Sequence, residues 1–311
     1  MANLHKPKVY PPVNRCIYCG ADASTGELSR EHIIPKALSG SVILPKSSCP
    51  ACSRITSQIE GNILKKILID YRFFMNFPTY RKVKDRPQPK KVVRLPLVSA
   101  PPPGIFSGRQ ESDQPIELGL GIYTFWKGDI QPVREPIPDQ MEFPLWDFFR
   151  MIAKIAHGYV VGELGLCNFD AVLPDLILRR DPDSKLQHYI GCATLKEMIE
   201  ANMHPLDLNE ERKTLPLYTV HRYRLLMFQE DPTQVIHAPR IGICVYLQLF
   251  PIHHTPVYKV FVGLLKPNAL LPPEFQEAVL TLRAQTAQLS AQAASCAPVT
   301  FSFKPPWRWP Q

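Results

Sequence analysis

Apolar positions along this chain fall into two textures. In residues 53–68 the isoleucines recur at 55, 59, 63 and 67, a helical spacing. Ser53, Thr56, Ser57 and Glu60 share the opposite, polar face of that helix. WDFFRMIAKIAHGYVVGEL (146–164) reads as a second amphipathic helix, and PPEFQEAVLTLRAQTAQLSAQAA (272–294) as a third, opened by proline. IELGLGIYTFW (116–126), LYTVHRYRLLMFQ (217–229), IGICVYLQLF (241–250) and VYKVFVGLL (257–265) are apolar and β-branched runs bounded by turn residues, and read as strands. The pattern predicts an α+β fold with mostly antiparallel pairing and no internal repeat.

Composition narrows the class. At 311 residues, with 45% hydrophobic and 21% charged residues, the chain can bury a sizeable core. No window approaches ~18 uninterrupted apolar residues, and MANLHKPKVYPP lacks an apolar signal region. No membrane association is expected, and the expected location is cytoplasmic. Charge is uneven: residues 1–96 hold 17 Lys and Arg against 6 Asp and Glu, whereas the remainder holds 19 against 22. The excess positive charge suits a polyanion partner for the N-terminal third, with a merely solvated basic surface as the alternative. Seven basic residues between 81 and 94, punctuated by Pro87 and Pro89, read as an extended arm or linker after the aromatic stretch 71–80.

Of eight cysteines, four form Cys-x2-Cys pairs, Cys16/Cys19 and Cys49/Cys52, with 29 residues between the pairs. Two such knuckles can supply four thiolates to one tetrahedral zinc. Cys167, Cys192, Cys244 and Cys296 are scattered and read as inert thiols, and His157 as a satisfied core histidine. The expected organisation is a zinc-stapled module over 1–70, a basic and proline-rich linker over 71–104, and a larger α+β domain over 105–311.

Between the knuckles lies Glu31-His32-Ile33-Ile34-Pro35, and the second knuckle opens the helix carrying Glu60. This order over residues 14–66 resembles the HNH endonuclease family, and more closely a bacterial subgroup with a Glu-His-Ile-Ile-Pro segment. The resemblance implies a ββα-metal fold and hydrolysis of phosphodiester bonds in nucleic acid, DNA foremost. It implies structural zinc on Cys16, Cys19, Cys49 and Cys52, and His32 as the general base. It also implies catalytic Mg²⁺ or Mn²⁺ on Glu31, for which Glu60 is the candidate second ligand. Neighbouring strand residues point to opposite faces, so Glu31 and His32 can share a site only at a bulge or strand end.

Two positions depart from the family pattern. Leu44 stands near where an Asn is expected, and Ser53 where a His or Asn is expected. They keep a second reading open, a zinc ribbon that grips nucleic acid or regulates without cutting. On that reading His32 is structural, Glu31 pairs with Arg30 or Lys36, and Glu60 is a solvated helix carboxylate. The C-terminal domain carries no recognisable chemistry and is left to set substrate, partner or self-association.

Overall fold

A computed structural model of the chain describes residues 8–66, 68, 72, 145–203, 221–229, 240–249 and 256–293. The strand expected at 116–126 and the basic arm at 81–94 lie outside them. The N-terminal part is a small sheet of β1 (Lys8–Val9), β2 (Ser29–His32) and β3 (Val42–Ser48), followed by α1 (Pro50–Lys66). Strand β3 is central, parallel to β1 and antiparallel to β2. Next come α2 (Leu145–Leu164), β4 (Phe169–Ala171), α3 (Pro174–Ile177), β5 (Ile190–Cys192) and α4 (Leu195–Glu200). Strands β6 (His221–Gln229), β7 (Ile241–Leu249) and β8 (Val257–Leu265) and helix α5 (Pro273–Ala293) complete it. The larger sheet is antiparallel throughout, in the order β4-β8-β7-β6, with β5 beside β4 on the same edge of β8.

The apolar runs explain these elements. Every residue of β7 is buried. Ile243, Val245, Leu247 and Leu249 join the main core, while Cys244 and Tyr246 pack with Ala201, Met203 and Val257 on the other face. A continuous apolar run, rather than an alternating one, marks a strand covered on both sides. Burial pushes the thiols of Cys192 and Cys244 up to about 12, so both stay protonated small hydrophobes. Cys167 is exposed.

Helix α2 joins the two parts, because every residue from Asp147 to Val161 is buried. A helix apolar nearly all round must be covered on all sides. Its core is continuous with Ile33, Leu44, Ile59 and Ile63 of the N-terminal part and with β7 and β8. Two glycines allow the close approach. A Cβ on Gly158 would meet Ile33 at 3.2 Å, and one on Gly162 would meet the Tyr10 ring at 2.6 Å. Polar ties fix the register: Asn62 donates to Asp147 (2.7 Å), and Glu163 accepts from Lys8 (2.8 Å), Tyr10 and Tyr223 (2.7 Å). His157 is fully buried, its Nε2–H donating to the Ile17 carbonyl at 2.8 Å. Among the described residues no helix is long and apolar enough to cross a membrane.

The polar face expected on α1 is unevenly covered: Thr56 is buried, Ser53 and Glu60 are half-buried, and Ser57 is exposed.

Two predictions follow from this packing. Gly162→Ala should cost ~1–3 kcal/mol by overpacking against Tyr10, whereas Gly61→Ala, with nothing within 4 Å of the added methyl, should gain ~0.5–1 kcal/mol; urea melts measure both. Burial also lowers the His157 pKa to about 4, against the opposing Ile17 hydrogen bond. The fold therefore favours the neutral ring, a contribution complete above pH ~6.5 and lost as pH falls toward 4, worth up to ~3 kcal/mol. Urea melts across that window should lose stability in the native chain and lose less in His157→Gln.

Candidate active site

The first knuckle is a tight turn. Gly20, at φ 76°, donates its N–H to the Cys16 carbonyl (2.9 Å), and the Cys16 N–H donates to Ala21 (2.6 Å). A bond from the Ile17 N–H to the Ser47 carbonyl (2.8 Å) pins this turn to β3. The second knuckle begins where β3 ends. Cys49 precedes Pro50, the first residue of α1, and its carbonyl accepts from Ser53 (2.9 Å). Proline at that position needs no hydrogen-bond partner for its missing N–H, and the helix N-terminus favours negative charge on Cys49 and Cys52. The four sulfurs lie within 4.8 Å of one another. A tetrahedron with Zn–S bonds of ~2.3 Å has edges of ~3.8 Å, and Cys19 and Cys49 are 3.7 Å apart. Burial raises the Cys16 and Cys52 thiols, while Cys49, despite its own burial, is brought down to about 7 by hydrogen bonds from Cys52, Cys19 and Cys16. Four thiols so close cannot all ionise without a cation among them, and zinc fits both the donors and the spacing.

Glu31 and His32 sit at both a bulge and a strand end. The β2–β3 register slips between Ser29 and Glu31; Glu31 then faces Leu44, and His32, the last residue of β2, faces Ile43. The chain next turns through Ser39, at φ 60°, and Gly40. Gly40 lies so close to the Ile34 carbonyl that a Cβ would come within 1.9 Å of its oxygen. Only glycine fits there, and the turn holds the Gly40 backbone against the His32 imidazole. Burial lowers the His32 pKa below its ordinary value; the charges of Arg30, Lys36 and Lys154 push the same way, and the Gly40 hydrogen bond opposes them. Its Nδ1 is buried and has no hydrogen-bond partner among the described residues.

Glu31 and Glu60 do converge, but on an ammonium. Lys154 reaches from α2 to Glu31 Oε1 at 2.7 Å, Glu60 Oε1 at 2.5 Å and the His32 carbonyl at 2.8 Å. The lysine side chain is 2% exposed. Burial opposes its charge, yet Glu31 and Glu60 outweigh burial and hold its pKa above the ordinary lysine value. Glu31 titrates above the usual carboxylate range because of burial, with Lys154 pulling the other way and Glu60 adding to the rise. The Tyr18 phenol is fully buried nearby and kept protonated by burial and by these two carboxylates. Lys154 escaped the sequence reading. Its signal is Arg150, Lys154 and His157 at i, i+4 and i+7, polar residues striping a helix that is otherwise apolar.

Knuckle, bulged Glu-His strand, second knuckle and helix thus follow one another within a single compact module. Residues 16–67 match the HNH endonuclease family. No curated protein and no solved structure matches the chain. Within the HNH module the structure places the four cysteines together, and Glu31, His32 and Glu60 around Lys154. Leu44 is fully buried in the core, and Ser53 offers its carbonyl to the Thr56 hydroxyl at 3.2 Å.

Elemental analysis of the folded chain should find about one zinc per molecule. Cys49→Ser should lose that zinc and unfold the module, read as lost zinc and a lowered melting transition, because metal binding and folding are one equilibrium in such sites.

Proposed function

We propose that the chain is a nuclease that hydrolyses phosphodiester bonds in nucleic acid, DNA foremost, and acts in the cytoplasm. The observation that carries this reading is the His32 imidazole. It stands at the end of a bulged strand within the HNH module, its pKa is lowered, and its buried Nδ1 has no partner. An orphaned buried acceptor costs ~1–3 kcal/mol in a merely structural role, and such groups concentrate at functional sites. With a pKa below ~6.5 the ring is neutral at pH 7 and takes a proton from the attacking water once substrate binding opens its buried Nδ1 to that water. Arg30 and Lys36 flank it closely enough to lower its pKa, and can hold the anionic phosphodiester that the water attacks.

The family implies a divalent metal as well, Mg²⁺ or Mn²⁺, and the sequence pointed to Glu31 and Glu60 for it. These residues do not fit it, because the Lys154 ammonium fills the space between their carboxylates. The buried Leu44 and the occupied acidic pair favour a second reading, a zinc module that binds nucleic acid without cutting.

Plasmid cleavage decides between them. His32→Ala should lose ~10²–10⁴-fold in rate while keeping its zinc. The wild-type rate should rise with pH through a value below ~6.5 and level off by pH 7, since only the neutral ring accepts a proton. Equal cleavage rates in wild type and variant would overturn His32 as the base, and retention of plasmid without cleavage in both would favour the binding-only reading.

A further inference from the structure

The cluster that joins helix α2 to the HNH module differs in kind from a metal site. An ammonium has three donors, and a carboxylate only acceptors. The Lys154 ammonium donates to the His32 carbonyl at 2.8 Å and lies in ion-pair contact with Glu31 Oε1 at 2.7 Å and Glu60 Oε1 at 2.5 Å. Mg²⁺ instead asks for about six oxygens at ~2.0–2.1 Å and keeps several of its waters. The lysine side chain is 2% exposed, with Glu31 11% and Glu60 20% exposed, so the ammonium lies out of bulk water between them. Withdrawing the ammonium would leave two carboxylates without their counter-charge.

We propose that Lys154 is the resident cation of the Glu31–Glu60 pair, an intramolecular replacement for a divalent ion that keeps the pair closed to metal. One positive charge cannot balance two carboxylates. Burial raises the Glu31 pKa, Lys154 opposes the rise and the Glu60 carboxylate adds to it. Lys154 also grips the backbone of His32 itself through the carbonyl. The same ammonium that excludes the ion therefore fixes the end of β2 from which the imidazole projects. Any divalent ion engaged by this protein, apart from the knuckle zinc, must then be held by other residues. This inference concerns the cation alone and stands or falls independently of whether the module cuts.

Titration of Mn²⁺ into the zinc-loaded full chain, with free Mn²⁺ read by electron paramagnetic resonance, tests it. Wild type and Glu60→Gln should take up equal amounts of Mn²⁺. Lys154→Ala, checked by zinc content and thermal melt, should gain about one Mn²⁺ per chain, and Lys154→Ala/Glu60→Gln should lose it again. A Mn²⁺ bound by wild type and abolished in Glu60→Gln would overturn the proposal. So would a folded Lys154→Ala chain that gains no Mn²⁺. The comparison of wild type with Glu60→Gln needs no lysine variant, so it decides the matter even where Lys154→Ala fails to fold.

Discussion

A charged group fully removed from water constrains everything built around it. Lys154 is such a group, and it stays charged because two carboxylates lie against its ammonium and the His32 carbonyl accepts from it. The cluster draws on three elements: Glu31 and His32 come from a bulged strand, Glu60 from α1 and Lys154 from the middle of α2. The bulge turns Glu31 inward while His32 ends the strand. Gly158 and Gly162 bring α2 close enough for the lysine to reach. A loss in any of these would leave a buried charge without its counterpart, so the elements are bound to one another more tightly than their apolar contacts alone require.

The zinc site bears on this in a different way. Small modules use metal where a hydrophobic core is too small. Here the knuckles hold the ends of the hairpin and the start of α1, but the HNH module does not face water on its other side. Its Ile33, Ile59 and Ile63 continue into the core of α2 and the larger sheet, and the Ile17 carbonyl in the first knuckle is bonded to His157 of α2. The residues after 144 therefore supply part of the wall of the candidate site and not only an appended domain.

Much of this was legible in the sequence. The three long strands and three long helices appear within a few residues of where apolar periodicity puts them, because each is long and strongly patterned. The four cysteines were legible because their spacing is set by the chemistry of one ion. Alternation of side chains along a strand asked for a bulge or strand end at Glu31-His32, and the register slip before Glu31 and the end of β2 at His32 lie there. What could not be read was the partner of Glu31. Local charge pointed to Arg30 and Lys36, whereas the ammonium beside it lies 122 residues beyond His32. Periodicity describes neighbours along the chain; a buried ion cluster belongs to the packing of elements distant in sequence.

Leu44 gains a meaning once Lys154 is in view. Directly opposed residues of an antiparallel pair project to the same face, so Leu44 shares its face with Glu31. A polar amide there would offer an oxygen to a hydrated ion. Leucine offers none, and being fully buried it keeps water away from that face. An apolar neighbour also lowers the local dielectric, which strengthens attraction between an ammonium and a carboxylate already in contact. Read alone, Leu44 looks like the loss of a metal-site residue. Beside Lys154 it is the apolar wall that suits a buried lysine, and the two together describe an acidic pair rebuilt around an organic cation.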